Sequence, residues 1–317
     1  MPWDERIGRR LKMRDLHLLL AAVETGSMAK AGKRLAISQP AVSKAIAEME
    51  HTLGVPLLDR GPQGVEPTRY GRALIKRSMA IFDELRQAAS EIEFLRDPTS
   101  GEVRIGSGEP LAAGLVTAVV ERLSRQYPRI AIHIVRDDPV SLLRHLDERN
   151  VELVVTRMPK PMLEERMRAE ILYHDPVAIV AGVQNPWTRR RKVELADLVN
   201  EPWVLPPRDS VLGSIVLEVF RAGGLDPPRT TVATLSLSMR NSLLATGRFL
   251  SAHPSFALKF SRNYPAIKAL PIELPTTRQA TGLVTLKRRA LSPLADIFIN
   301  CTREVVKSTI GRTHERK

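Results

Sequence analysis

Residues 16–53 spell out three short amphipathic helices, each with its own start and stop, and no other segment restricts the fold as tightly. Leu16, Leu19, Leu20 and Val23 fall at i, i+3, i+4, i+7, one apolar stripe on a first helix that ends at Gly26. Ser27 then caps a second helix with Met28, Ala31 and Leu35 facing inward, stopping near Ala36 and Ile37. Ser38 caps a third, with Gln39 and Pro40 in its first turn, where the missing proline N–H costs nothing. Val42, Ala45, Ile46 and Met49 repeat the i, i+3, i+4, i+7 pattern. Helices this short are marginal alone, so the three stripes must close on a shared core.

The residues left outside that core carry the chemistry. Gln39, Pro40, Ser43 and Lys44 lie off the stripe near the start of the third helix. In a major groove, Gln pairs with adenine at two points, Ser donates or accepts, and Lys reaches guanine or a phosphate. The competing reading is a small solvated helix face. Downstream, Leu53, Val55, Leu57 and Leu58 pack beneath the helices, and Arg60 to Thr68 has the Gly, Pro and basic residues of a hairpin suited to lie along DNA. Arg60 and Arg69, at its ends, are either phosphate contacts or plain surface arginines.

Charge agrees with an anionic partner. Lys and Arg number 48 against 35 Asp and Glu, a net +13 over 317 residues, which by itself fits nucleic acid or a membrane surface. No run approaches 18 apolar residues, and MPWDERIGRR lacks the apolar core of a secretory signal, so a soluble cytoplasmic protein with no membrane partner is expected. The first ten residues read as a tail. The single cysteine, Cys301, forms no internal disulfide and no multi-cysteine zinc site.

From Thr68 the chain reads as one helix up to Pro98. Leu74, Ser78, Ile81, Leu85, Ala88, Ile92 and Leu95 alternate spacings of four and three, the period of a coiled-coil seam, which calls for a partner helix; its first turns have the alternative of packing on their own domain. After the breaker Asp97–Gly101, EVRIG, IAIHIV and VELVVT alternate with helical stretches at Leu111 to Gln126 and Val140 to Glu148, the signature of a parallel sheet built from βαβ units.

SMAKAGKRLAISQPAVSKAIAEMEHTLGVPLLDR, followed by VEPTRYGRALI, closely resembles the N-terminal signature of LysR-type transcription regulators. The resemblance implies a helix-turn-helix with Ser38, Gln39, Pro40, Ser43 and Lys44 facing DNA and Arg34 nearby. It also implies a linker helix that pairs two subunits on an inverted repeat, with homodimers assembling into tetramers and RNA polymerase as a further partner. EVRIGSGEP, LLRHLDERNVELVVTRMP, VAIVAGVQNPW and ELADLVNEPWVLPPRDS follow in the order of the same family's effector domain. The fold implied is α/β overall: an all-α winged helix-turn-helix at 1–67, a linker helix at 68–97, and a two-lobed domain like the periplasmic binding proteins at 102–310. Lobe I spans about 102–170 and 277–310, lobe II about 171–276, with crossings near residues 170 and 276.

In that fold a small molecule sits between the lobes at strand ends and helix N-termini. By position this selects Ser107, Gly108 and Glu109; Arg157 and Met158; Arg208, Asp209 and Ser210; and Ser251 with His253. Arg157 and Arg208 suit a carboxylate or phosphate, whereas Glu109 repels an anion and accepts from sugar hydroxyls, so sugars, sugar acids and aromatic acids stay open. The local pattern also resembles regulators of the galactose-binding-protein type. For each of these residues the alternative is a loop side chain satisfied by its own backbone or water.

Catalytic signatures are missing. IGSGEP lacks both GxSxG and the third glycine of a dinucleotide fingerprint, and the seven histidines show no HExxH or metal-ligand spacing, so no catalytic residue, metal or cofactor is expected. His133 reads as a core or sheet-face residue, Cys301 as buried and inert, and Arg189 to Lys192 as a solvated charge run. Three functions compete: a ligand-responsive DNA-binding regulator, a small-molecule binding protein whose N-terminal region serves assembly, and an enzyme with an unrecognised site.

Overall fold

The computed structural model describes residues 10–61, 64–158, 165–260, 265–274 and 278–314, with side chains through residue 310. It divides into two compact units, Met1–Arg86 and Gln87–Lys317.

In the first unit, helix α1 (Met13–Thr25) ends on Gly26 in the left-handed conformation, φ 64°. Ser27 caps α2 (Met28–Arg34) by accepting from Lys30 N–H, and Ser38 caps α3 (Gln39–Leu53) by accepting from Ala41 N–H. Leu16, Leu19, Met28, Ala31, Val42, Ile46 and Met49 share one core. Full burial of each larger side chain contributes about 1.5–3 kcal/mol. Strands β1 (Leu58–Gly61) and β2 (Gly64–Pro67) form the antiparallel hairpin expected of the wing, whose tip lies outside the described residues.

Two contacts fix this wing to the helices. Val65 N–H donates to the Gly26 carbonyl at 3.0 Å. Gly64 (φ 119°) passes so close to that same oxygen that a Cβ would sit 2.4 Å from it. From the other side, the Glu50 carboxylate accepts from Leu57 and Leu58 N–H at 2.7 and 3.1 Å, tying α3 to the entry of β1.

Helix α4 (Arg69–Arg96) is continuous across the boundary between the units. Thr68 starts it, accepting from Gly71 N–H at 3.0 Å while donating to the Pro56 carbonyl at 2.7 Å. The seam predicted from spacing divides in two. Leu74 packs on the winged core and Ser78 is fully buried, whereas Ile81, Leu85, Ala88, Ile92 and Leu95 are exposed.

The second unit holds two five-stranded sheets. In the first, β3 (Ser100–Ser107) lies between parallel β4 (Arg129–Arg136) and β5 (Leu153–Arg157), joined through a helical run and α7 (Pro139–Asp147). That run comprises α5 (Glu109–Leu111), a π-helical turn Ala112–Val116 and α6 (Thr117–Gln126). β6 (Met167–Asp175) and β12 (Gln279–Leu286) complete the sheet in antiparallel fashion, in the order β4-β3-β5-β12-β6, so the parallel expectation holds only for the first three strands. Val103, Ile105, Leu153, Val155 and Leu283 pack under α6 and the final helix α10 (Pro293–His314); Val154, Val284 and Leu286 pack under α7.

The second sheet has the order β11-β7-β10-β8-β9. It comprises β7 (Val177–Gly182), β8 (Trp203–Leu205), β9 (Thr230–Ala233), β10 (Leu250–Pro254) and β11 (Ile267–Ala269), with helices α8 (Val211–Ala222) and α9 (Leu237–Ala245). The chain crosses between sheets at Pro176, not near residue 170: β6 pairs with β12 as far as Asp175, and β7 begins two residues later. The return crossing expected near residue 276 lies outside the described residues. No described helix is long and apolar enough to cross a membrane.

At Gly71 an added Cβ would come within 2.0 Å of the Leu57 carbonyl oxygen. Gly71→Ala is therefore expected to lower the stability of the winged unit by about 1–3 kcal/mol, the usual range for overpacking, read from urea melts of the full chain.

Candidate DNA interface and effector site

On the winged unit, Gln39, Pro40 and Lys44 are exposed and Ser43 is half-buried, all in the first turns of α3, while Val42 and Ile46 between them are sealed in the core. The Ser38 hydroxyl is occupied as the cap, with Ser38 itself exposed. Lys44 stands 3.9 Å from Glu48 with its side chain 79% exposed, so its charge is available. Arg34 is engaged with Glu24 at 2.6 Å, a pair this exposed being worth little and easily exchanged for a phosphate. Arg60 is exposed on β1 opposite Val65, and Arg69 lies over the Tyr70 ring at 4.6 Å.

In the second unit, Ser107 ends β3 fully buried, Gly108 precedes the helical run, and Glu109 opens it. Glu109 forms an ion pair with Arg136 at the end of β4. The neighbouring guanidinium cancels the repulsion that this carboxylate would otherwise exert on an anion. Ser210 caps α8, accepting from Gly213 N–H at 3.1 Å, with Arg208 and Asp209 exposed just before it. Met158 departs from its expected place: it packs beside the Leu142–Leu146 cluster, because residues 157 and 158 face opposite sides of the sheet.

Arg157 is buried and its Nη2 donates to Asp175 at 3.1 Å. The other Asp175 oxygen accepts from Phe256 N–H at 2.8 Å, just after β10. Burial raises the Asp175 carboxyl above its ordinary value, against the opposing pull of Arg157. Thr281 stands opposite both Arg157 and Tyr173, so three polar side chains line one row across β5, β12 and β6. Tyr173 stacks on Phe256 at 4.0 Å. Arg157 Nε and Nη1 and Ser251 Oγ are buried without a hydrogen-bond partner. Sequence reasoning misses Tyr173, Asp175, Arg240 and Thr281; His174-Asp175-Pro176 is the one available signal, an Asp-Pro break marking the crossing.

Ser251 and His253 alternate on β10, both with no exposed surface. Arg240 on α9 reaches over the strand to donate to the Ala252 carbonyl at 3.2 Å. Burial, aided by Arg240, pushes the His253 imidazole down to about 3, so it is neutral. His133 is sheet-face and exposed, 3.5 Å from Glu102, and Cys301 is buried in α10. No group of His, Cys, Asp and Glu among the described residues is suited to a metal ion.

Residues 13–72 match the bacterial regulatory helix-turn-helix protein family of lysR type, and residues 96–307 match the LysR substrate binding domain. The chain belongs to the LysR family. It is a DNA-binding transcription regulator with an effector-binding domain. Curated relatives include the transcriptional regulator GbpR of Azospirillum brasilense, 28% identical over 96% of this chain and 90% of that protein. PcaQ of Agrobacterium fabrum is 27% identical over 97% and 99%. Among solved structures, a full-length OxyR variant from Pseudomonas aeruginosa superposes with a TM-score of 0.66 at 18% identity, covering 94% of this chain and 95% of that one. CbnR gives 0.63 at 18% identity over 93% and 99%. These likenesses establish the two-part fold, and the relatives are regulators rather than enzymes.

A histidine whose folded value lies below its free value of about 6.5 gives full stability above that pH. The unfolded chain takes up the proton first as pH falls, so the stability that this neutral imidazole contributes is lost progressively from about pH 6.5 down toward 3. His253→Gln is expected to flatten this decline, as measured by thermal melts of both proteins from pH 7.5 to 5.

Proposed function

We propose that this regulator binds an inverted repeat as a homodimer, or as a pair of dimers, and responds to a small carboxylate held between its lobes. The exposed first turn of α3 carries the reading: Gln39, Pro40, Ser43 and Lys44 present base-reading and phosphate-reading chemistry on a rigidly capped helix. Arg34, Arg60 and Arg69 surround it as phosphate contacts. Dimerisation is supported by the solvent-exposed seam on α4, where Leu85, Ile92 and Leu95 are 55%, 69% and 74% exposed. Those side chains repeat every 3.5 residues and are apolar, so a second copy of the same helix is their natural cover.

A carboxylate effector follows from the surplus of donors. Arg157 has buried N–H groups to spare, Ser251 has a free hydroxyl, and Glu109 is neutralised by Arg136. This favours organic acids, among them sugar acids and aromatic acids, over neutral sugars. Ser107, Gly108 and the capped turn at Arg208–Ser210 complete the walls.

Coupling from sensor to reader has a material path. The Gln87 amide on α4 donates to the buried Glu152 carboxylate at 3.3 Å, and the same oxygen accepts from Ser292 N–H at 3.1 Å before α10. Glu152 adjoins β5, whose five residues are all buried and whose far end is Arg157. A ligand that prefers one placement of Arg157 biases that strand and, through Glu152, the linker helix; only such a difference in affinity shifts the equilibrium.

The test is fluorescence-anisotropy binding to duplex DNA from upstream of the protein's own gene, beside a scrambled duplex, across a salt series. Preferential binding that weakens steeply with salt is expected. Gln39→Ala and Ser43→Ala should each reduce discrimination between the two duplexes by about 1–3 kcal/mol, and an unchanged ratio would remove that residue from base reading. Separately, Leu85→Glu with Ile92→Glu should convert the dimer to monomer in sedimentation-velocity runs; an unaltered assembly would place the interface elsewhere.

A further inference from the structure

We propose that the end of lobe II farthest from the crossing is a second small-molecule site, built for a free α-amino acid with an apolar side chain. A pocket of about 300 Å³ opens there, lined by Asn185, Trp187, Arg190, Glu201, Gly247 and Arg248. It is separate from the effector cleft. β7 and β10 pair from Val177↔Pro254, beside the crossing, to Ala181↔Leu250, beside the pocket. Four steps of about 3.3 Å put roughly 13 Å between the two ends.

The frame of this pocket is locked. Asn185 is 2% exposed, and its side chain bridges the two walls, donating to the Gly247 carbonyl at 2.9 Å and accepting from Trp187 N–H at 3.0 Å. Gly247 holds φ +74°, and a Cβ there would lie 3.2 Å from Gln184 Cβ. Lys268 donates to the Thr188 carbonyl at 3.0 Å and anchors the loop to the sheet edge. A site whose walls are already fixed spends little free energy on ordering when it binds.

The charges are arranged for a zwitterion. Among the described residues, the side chains of Arg190, Arg248 and Glu201 make no hydrogen bond or ion pair, although all three line the same concavity. Two guanidinium groups suit a carboxylate, one carboxylate suits an ammonium, and the Trp187 indole on the same wall offers apolar surface. A purely anionic ligand leaves Glu201 opposed, and a purely cationic one leaves both arginines opposed. The volume sits at the small end of ligand sites, which fits a single amino acid. The basic run Arg189–Lys192 that borders the pocket adds long-range attraction for the carboxylate end.

The experiment is isothermal titration calorimetry of the full-length protein, without DNA, using L-phenylalanine and L-leucine as probes. 3-Phenylpropionate and phenethylamine serve as analogues that each lack one charge. At least one of the two amino acids should bind saturably, and the single-charge analogues at least 10-fold more weakly. Glu201→Gln and the double variant Arg190→Ala/Arg248→Ala should each weaken amino-acid binding at least 10-fold. All three positions are partly or fully exposed, so circular-dichroism melts should match the parent. Absence of saturable binding by both amino acids, equal binding of the analogues, or undiminished affinity in both variants overturns the proposal. None of these outcomes bears on whether the cleft itself takes a carboxylate.

Discussion

The buried pairing of Arg157 with Asp175 is the constraint on which the sensing unit depends. It ties the end of β5 to the end of β6, and through the second Asp175 oxygen it holds Phe256 N–H, where the chain leaves β10. Two strands of one sheet and the exit from the other thus meet on a single carboxylate. Removing two charges from water costs several kcal/mol per ion, so such a pair is a poor way to gain stability and a good way to fix geometry. Removing either partner strands the other in an apolar surround of Tyr173 and Phe256, which makes the joint intolerant of single changes.

That joint has a counterpart at the opposite end of β5. Glu152, immediately before the strand, accepts from Gln87 and from Ser292 N–H, so one buried oxygen gathers the linker helix and the start of α10. Between the two polar nodes lies a strand with every residue buried and with neighbours bonded on both edges. Close-packed interiors transmit displacement because they have few voids to absorb it. A strand with a carboxylate–amide node at one end and an ion pair at the other is therefore a stiff connection between the proposed cleft and the helix that leads to the DNA-reading unit.

The sequence reveals most where local chemistry decides the outcome. Gly26, Ser27 and Ser38 are capping residues whose roles need no distant partner, and α1 ends at Gly26 while α2 and α3 begin just after Ser27 and Ser38. The crossing escapes a reading of the sequence because MRAEILYHD mixes polar and apolar residues without clean alternation, while the buried Tyr173 and Asp175 owe their burial to β12, a hundred residues away. Proximity to Arg157 suggests a cleft position for Met158, but in a strand neighbouring side chains face opposite ways, and only Arg157 points toward the crossing. Thr281 carries no local mark: its place beside Arg157 and Tyr173 is set wholly by register.

The linker helix states the same lesson in one dimension. Spacing alone joins Leu74 to Leu95 in a single seam, since an apolar repeat says which residues share a face and not what covers it. Leu74 and Ser78 are covered by the winged core, with the Ser78 hydroxyl returned to the Leu74 carbonyl at 2.9 Å. From Ile81 onward the same stripe faces solvent. A serine at the junction is what such a division requires: it is small enough to be fully buried against the winged core, and it satisfies itself within the helix. Four turns of apolar seam uncovered among the described residues then remain, and it is this stretch, not the whole repeat, that supports the proposed pairing with a second copy of the helix.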